Sequence, residues 1–318
     1  MGEKHEIPDT AWLLALLMTP GIGVVTLNRV ALALKEANIP FHAVVGAKHS
    51  VLQKGLPMGL EWASEALACC ESATADRALF LHERVLKTGG QWLSRWTSEY
   101  PESLLTVMDY NAPPLLSVYG DVELLGRKRV SLVGSREPSG RGKVLAEELA
   151  AWSARRGRLV VSGGATGIDL TAHRAVLDAG GDTCVFIPQG GLTYEGPDWL
   201  KTFVDSGRAV VVSQLIPDAE WSASGAMGRN GTVAALGRLV CVVDPGLESG
   251  SQRTAQVSLD YDRRTLVYAY DRVGSAFQSL MRKGAYPILN EIGEWDEEYM
   301  ESHWKVGAQL SRKQAELF

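Results

Sequence analysis

Residues 129–168 read RVSLVGSREPSGRGKVLAEELAAWSARRGRLVVSGGATGI, two strand-to-helix turns in a single stretch. Val130 to Val133 is an apolar strand that runs into Gly134-Ser135-Arg136, and a helix is expected after Ser139, whose hydroxyl suits an N-cap. Leu145, Leu149 and Trp152 repeat at the spacing of one buried helical face, and Gly157 ends it. Leu159 to Val161 is a second strand, which opens into Ser162-Gly163-Gly164 and, through Gly167-Ile168-Asp169, into a second helix. Glycine lets backbone approach an anion, hydroxyls donate, and a helix N-terminus adds free amides and a positive dipole end. Two such turns on neighbouring strands predict two anion sites side by side.

Working outward, Thr183 to Pro188, Ala209 to Ser213, Arg238 to Asp244 and Thr265 to Tyr270 read as further short apolar strands, mostly separated by helical stretches. Strands alternating with helices predict an α/β fold, a doubly wound parallel sheet covered on both faces, with ligands beyond the carboxyl ends of its strands. Five glycine-rich loops are expected, most of them at that edge: Gly134 to Gly140, Ser162 to Ile168, Gln189 to Leu192, Met227 to Thr232 and Pro245 to Gln252. Strands lie ~4.8 Å apart, so a row of four sites would extend over ~15 Å and suit a polyanion better than one mononucleotide.

Charge points the same way locally. Residues 127–143 hold six basic side chains against one acidic, Glu137, although the whole chain carries −5. The six carboxylates within residues 291–301 account for that deficit. Such a run reads first as a solvated surface and second as a regulatory tail.

In order along the chain, Tyr100-Pro101, Pro113-Pro114, Tyr119-Gly120-Asp121, Gly134-Ser135-Arg136, Ser162 to Asp169 with Ala172-His173, and Ser249-Gly250-Ser251 with Thr254-Ala255 resemble the signature blocks of the DNA-processing protein A (DprA/Smf) family. The resemblance spans roughly residues 10–270. It implies an extended Rossmann-like domain that binds single-stranded DNA, forms a homodimer, and hands the strand to a RecA-type recombinase. The same motifs would serve transformation, recombination or defence against foreign DNA.

Two departures matter. Where that family carries Phe-Pro-x-Arg-Asn-Arg, this chain reads Ala226-Met227-Gly228-Arg229-Asn230-Gly231; and Gln189-Gly190-Gly191-Leu192 with Tyr194 matches only part of a Gly-x-Asp-x-x-Tyr-Pro pattern. Gly228 to Thr232 also resembles the Gly-Gly-x-Gly-Thr turn of LOG-type nucleotide hydrolases, which makes a nucleotide-sensing or nucleotide-processing domain the alternative. Val233-Ala234-Ala235 follows Thr232, so the glutamate expected of that chemistry is missing.

The phosphate-binding set expected from all this is Gly134, Ser135, Arg136, Ser162, Gly163, Gly164, Gly167, Arg229, Asn230, Ser249, Gly250, Ser251 and Gln252, with Tyr194, Trp199 and Trp221 as stacking platforms for bases. No catalytic residue, metal site or cofactor is expected. There is no Gly-x-Gly-x-x-Gly after the first strand, Val144 stands where a Walker motif needs Ser or Thr, and no Gly-x-Ser-x-Gly elbow occurs. His173 is expected to pack under the glycine-rich loop, and Asp169 to act as an N-cap that fixes it.

Thr10 to Met18, Thr19-Pro20-Gly21-Ile22-Gly23 and Val24 to Ala37 read as helix, turn, helix, either a helix-hairpin-helix presenting amides to a phosphate or a helical cap. Further helices are expected over residues 40–95, broken at Pro40, Pro57 and Gly89-Gly90. The expected division is a helical (helix-hairpin-helix, SAM-like) part over 1–95, the Rossmann-like part over 96–274, and one helix near residues 276–283 with the acidic tail over 275–318. The polar residues 1–10, the lack of a long apolar run, and four cysteines without zinc spacing predict a reduced cytoplasmic protein away from the membrane. Val267 to Tyr270 is open between dimer surface and core.

Overall fold

The computed structural model describes residues 8–56, 60–272 and 275–315. Pro57, and residues 273 and 274 at the boundary expected after 274, lie outside them. The chain starts with α1 (Asp9–Leu17), α2 (Val24–Glu36), α3 (His49–Gly55), α4 (Ser64–Ala68) and α5 (Ser72–Lys87). Then come β1 (Gly90–Ser94), α6 (Glu102–Met108) and β2 (Leu115–Gly120). The alternating part runs β3 (Arg129–Gly134), α7 (Gly140–Arg155), β4 (Leu159–Ser162), α8 (Ile168–Asp178), β5 (Thr183–Phe186), α9 (Asp198–Asp205), β6 (Ala209–Ser213), α10 (Ala223–Leu236), β7 (Leu239–Val243), α11 (Gly250–Asp260) and β8 (Arg264–Tyr268). It closes with α12 (Phe277–Arg282), β9 (Tyr286–Pro287) and α13 (Glu297–Ala315).

All these strands form one sheet in the order β1-β2-β6-β5-β4-β3-β7-β8-β9. Pairing is parallel from β6 to β9, while β2 meets β6 and β1 meets β2 antiparallel. The chain therefore steps outward from β3 through β4 and β5 to β6, then returns to the other side of β3 as β7. That reversal leaves a crevice between the carboxyl ends of β3 and β7, the place where doubly wound sheets hold ligands.

Both faces of the sheet are apolar, because alternate residues of each strand point to opposite sides. Val133, Val161, Phe186, Val212, Val240 and Val267 pack with Val233 and Leu236 of α10, Ala255 of α11 and Leu280 of α12. Val130, Leu132, Val160, Leu239 and Leu266 pack on the other face with Leu145, Leu149 and Trp152 of α7, Val176 of α8, and Met300 and Trp304 of α13. Cys184 and Cys241 are buried on opposite faces, as apolar strand residues. The N-terminal helices build a separate cluster around Leu13, Leu27, Leu34, Phe41 and Leu81, which also takes in Leu115 of β2 and the partly buried Trp92, Leu192 and Ile216.

One expectation about the chain's end is corrected and one open alternative is resolved. The acidic residues 291–301 do not form only a solvated run: they lead into α13, whose Met300 and Trp304 are buried. Glu297 pairs with Arg155 and Arg156, and Glu301 with Arg156 and Arg158. Val267 to Ala269 is core, with β9 paired to β8, and only Tyr270 of that stretch is exposed. β1 covers Gly90–Ser94, within the stretch assigned from sequence to the helical part. Among the described residues no helix is long and apolar enough to cross a membrane.

Candidate nucleic-acid interface at the sheet's switch point

A cavity of about 300 Å³ opens at the crevice between β3 and β7, lined by Gly134, Ser135, Arg136, Ala165, Asp169, Ala226, Arg229, Asn230, Gly246, Ser249, Gly250, Ser251 and Thr254, with Val133 at its base. Of the residues expected from sequence, it brings together Gly134, Ser135, Arg136, Arg229, Asn230, Ser249, Gly250 and Ser251. Ser162, Gly163, Gly164, Gly167 and Gln252 stand behind its walls.

Arg229 arrives there by a route the sequence misrepresented. Met227 to Thr232 is not a loop but part of α10, which Ser222 caps by accepting from the Gly225 amide. The helical turn places Arg229 and Asn230 inward, both nearly covered, so the likeness of Gly228 to Thr232 to a Gly-Gly-x-Gly-Thr turn does not extend to its geometry. The Arg229 guanidinium lies against Gly163, where a β-carbon would overlap Nη1 and Cζ. Glycine at 163 is thus a requirement of close approach rather than of backbone conformation. Burial lowers the Arg229 pKa, Asp169 opposes that shift, and the like charge of Arg136 adds to it. Arg136 itself is exposed on the rim.

Both strand-to-helix turns already hold a carboxylate of this chain. In the β4–α8 turn Asp169 accepts from the amides of Gly163 at 3.2 Å and Ala165 at 3.3 Å. It is not the N-cap of α8, which is Gly167 without a side-chain bond; it fixes the loop from within the first turn instead. Burial raises its pKa, and Arg229 with the two amides works against that. In the β3–α7 turn Ser139 caps α7 by accepting from Gly142, and Asp244 Oδ2 accepts from the Ser139 amide at 2.9 Å and its hydroxyl at 2.6 Å. Asp244, at φ +50° just past β7, was not recognised from sequence. A β-carbon on Gly142 would overlap its Oδ2. The two loops also bind each other, since Ile168 N donates to Ser135 O at 3.0 Å and Gly167, at φ +82°, leaves room for that carbonyl.

Other expected residues serve the walls. Ser162 is buried and donates to Leu132 O. Gln252 accepts from Glu248 N at 2.6 Å, shaping the β7–α11 loop. Ser249 caps α11 by accepting from Gln252 N at 3.2 Å and lies 3.0 Å from the Ser251 hydroxyl. The Ser249 hydroxyl donates to Gly246 O at 2.8 Å and so accepts from Ser251, which leaves the Gly250 and Ser251 amides of the first turn of α11 as the donors facing the cavity. His173 is fully buried under the loop. The Thr183 hydroxyl donates to Val160 O at 2.9 Å, so at 2.6 Å it accepts from His173, whose Nδ1 carries the proton. Burial first, then Arg229, pushes the His173 pKa down to about 3, so the ring is neutral.

Further along the edge, Gln189 to Leu192 is closed rather than open. Gly190 N donates to Ala219 O, Leu192 N to Pro217 O, and the Leu192 side chain joins the N-terminal cluster. Among the stacking candidates Tyr194 is partly buried beside Tyr119 in a neighbouring cavity of about 410 Å³, Trp199 packs between two cores with Arg174 over its ring at 5.6 Å, and Trp221 is exposed. The six basic residues of 127–143 divide: Arg127, Lys128 and Arg129 sit at the amino end of β3, while Arg136, Arg141 and Lys143 follow its carboxyl end. Among the described residues no group of His, Cys, Asp or Glu is placed to hold a metal.

Known proteins are similar to this chain in sequence and in fold. The putative DNA processing protein DprA of Mycobacterium tuberculosis is 31% identical over 193 residues, 57% of this chain and 49% of that protein, so the chain spans about half the length of this relative. DNA processing protein DprA of Bacillus subtilis is 27% identical over 217 residues, covering 64% of this chain and 72% of the relative. The Streptococcus pneumoniae DNA processing protein A structure shares the fold at TM-score 0.65 and 24% identity, over 92% of this chain and 98% of that one. The Helicobacter pylori protein, whose structure addresses its single-stranded DNA binding mode, superposes at TM-score 0.54 with 25% identity over 63% of this chain and 91% of its own. The family model described as DNA recombination-mediator protein A matches residues 91–297, which takes in all of the sheet except Gly90 of β1 and every residue of the cavity, and the chain belongs to that family, DprA/Smf.

Proposed function

We propose that this protein binds single-stranded DNA along the carboxyl edge of its sheet, without catalysis, and seats one backbone phosphate in the cavity between β3 and β7. Support comes first from Arg229, a guanidinium held over Gly163 at the floor of a cavity whose rim carries Arg136 and the first turn of α11. A phosphate there receives charge-assisted hydrogen bonds from both arginines and further bonds from the Gly250 and Ser251 amides. None of these groups reads a base, so binding is sequence-tolerant. Adjacent phosphates follow the rim past Arg141 and Lys143, and exposed Trp221 offers a stacking face. The single-stranded DNA binding mode of the H. pylori relative supports the same ligand.

In this proposal the protein acts as a homodimer in the cytoplasm, and the bound strand passes to a RecA-type recombinase, as the family description of a recombination mediator suggests. The helical part in this proposal runs from α1 to α5, the DNA-binding part begins with β1, and α12, β9 and α13 close it. The test is fluorescence anisotropy with labelled oligodeoxythymidylate over a range of salt. Arg136→Ala is expected to weaken binding alike across sequences and to reduce the salt slope by about 0.7, the loss of one phosphate contact on a single strand. Unchanged affinity and slope would remove the cavity from the binding surface.

A further inference from the structure

A further cavity opens on the same carboxyl edge of the sheet, along the first half of α7. About 430 Å³ in volume, it lies between Arg141, Val144 and Glu148 of α7 on one side and Tyr268, Leu289 and Trp295 on the other. Strand register fixes its place. Gly134 of β3 pairs with Val243 of β7, and Val243 with Tyr268 of β8, so Tyr268 stands two strand spacings, ~10 Å, from Gly134 of the proposed phosphate seat. At the ~3.4 Å rise of a stacked strand that distance is about three nucleotides. Arg136 and Arg141 bracket the turn that joins β3 to α7. Of the carboxylates there, Asp244 is turned inward onto Ser139 and Tyr270 N, and Glu137 stands exposed between the two arginines.

The walls combine aromatic surface with a few uncommitted polar groups. Tyr268 is only 8% exposed, yet its hydroxyl has no hydrogen-bond partner among the described residues, a costly arrangement for a buried donor. Burial and then Asp244 raise its pKa while Arg141 opposes them, so at neutral pH it is an uncharged donor and acceptor. The Trp295 ring is held edge-on to Trp152 with centroids 6.5 Å apart. Val144, 52% exposed, keeps the α7 wall apolar. Arg141 and Glu148 stand about one helical turn to either side of it, and neither makes an ion pair among the described residues. An apolar, aromatic cavity with a few converging polar groups suits a flat heterocycle.

Resting on the single-stranded DNA reading above, we propose that this cavity receives one unstacked base of the bound strand, a few nucleotides from the phosphate seated between Arg136 and Arg229. The base enters between Tyr268 and Trp295. Its N–H groups donate to Glu148 or to the Tyr268 hydroxyl, and the phosphate beside it rests on Arg141. Every base has a π-face to offer, so the cavity is tolerant of sequence. It is not tolerant of pairing, because a base within a duplex must first be flipped out of its stack. The cavity therefore makes the protein select single strands, which contacts to phosphate alone do not.

Fluorescence anisotropy on the whole chain tests this by comparing labelled oligodeoxythymidylate with an oligomer of the same length and charge whose sugars carry no bases. Val144→Trp fills the cavity from an exposed position. It is expected to weaken binding of oligodeoxythymidylate by about tenfold, within the range for one stacked base, and to leave binding of the abasic oligomer unchanged. Tyr268→Phe keeps the ring and is expected to cost the base-bearing strand a few-fold. Arg136→Ala removes a phosphate contact and is expected to weaken both oligomers alike. If Arg136→Ala changes neither, the phosphate seat is wrong, while Val144→Trp still judges the cavity by itself. Val144→Trp binding both oligomers as the parent chain does, or weakening both equally, overturns the base pocket. So does a change in sedimentation of Val144→Trp with DNA affinity unmoved, which gives the cavity to a second copy of the chain.

Discussion

Gly163→Ala isolates the contact on which the proposed phosphate seat depends. Gly163 lacks the positive φ of Gly164 and Gly167, so alanine there brings no backbone strain, and the atoms nearest its new β-carbon all belong to the Arg229 guanidinium. Overpacking a core costs about 1–3 kcal/mol, and because the obstructing group is the free end of a long side chain, the low end of that range, about 1 kcal/mol, is expected. Binding suffers more. A guanidinium displaced from the floor loses a charge-assisted bond of about 1.5–3 kcal/mol, or about 10- to 100-fold in affinity for single-stranded DNA. The informative measurement is a double-mutant cycle in urea. With Arg229→Ala already in place the obstruction is gone, and Gly163→Ala is expected to stabilise the protein by about 0.4–1 kcal/mol through the unfolded chain's lost freedom. The substitution thus changes sign between backgrounds. A destabilisation of equal size in both, or DNA affinity unmoved by Gly163→Ala, would refute the close approach of Arg229 to Gly163 as the determinant.

Asp244→Ala strips the acceptor from the Ser139 amide and hydroxyl and from Tyr270 N, and is expected to lower stability by about 2 kcal/mol, with Asp244→Asn intermediate, read as urea midpoints at constant slope. Glu301→Ala leaves Arg158, buried between Trp152 and Trp304, without its carboxylate, and is expected to cost roughly 2–3 kcal/mol with little dependence on salt, whereas Lys87→Ala, at an exposed helical pair, is expected to cost under about 0.5 kcal/mol. His173 titrates near 3 when folded and near its ordinary value of 6.5 when unfolded, so the unfolded chain binds the extra proton between those values. Its contribution is present above pH ~6.5 and is lost on acidification at up to about 1.4 kcal/mol per pH unit. Equilibrium unfolding from pH 7 down to 4 is expected to show a shallower acid limb in His173→Gln.

The sheet was legible because its strands are short, apolar and punctuated: each expected strand from Val130 to Tyr270 is present within a few residues, and the parallel order follows from the alternation. Ser139 announced its helix by the hydroxyl that it offers to the third residue on, whereas Ser249, which caps α11 in the same way, lay inside a stretch read as loop as far as Gln252. Met227 to Thr232 misled because Gly228 and Gly231 suggest a turn, whereas the cap at Ser222 lies upstream and the apolar Val233 to Leu236 hold the helix down. α13 was hidden by its own acidity. Met300 and Trp304 repeat at helical spacing, but Glu297, Glu298 and Glu301 read as solvated until the arginines at the end of α7 are brought opposite them. The candidate site was legible largely through family resemblance. Nothing local to Asp244 says which amide it will meet, because its partner Ser139 lies on another turn, whereas Asp169 meets amides of its own loop.

These carboxylates change what the glycine-rich turns mean. A strand-to-helix turn with exposed amides attracts whatever negative charge is nearest, and in two neighbouring turns that charge comes from inside the chain. Asp169 and Asp244 fill the seats that looked ready for phosphate, so an external anion is left with the cations that these carboxylates do not neutralise. Asp169 offsets Arg229 only in part, since burial and Arg136 both act against the charged guanidinium. A phosphate lodged between Arg136 and Arg229 supplies the missing charge and turns their mutual repulsion into two attractions. Part of its binding energy is therefore stored in the empty site, which ties affinity to the integrity of the Asp169 loop: Asp169→Asn, by removing the competing internal charge while preserving an acceptor for the Gly163 and Ala165 amides, is expected to tighten single-stranded DNA binding severalfold. Weaker binding by this variant, with its melting temperature intact, would mean that Asp169 organises the seat more than it competes for it.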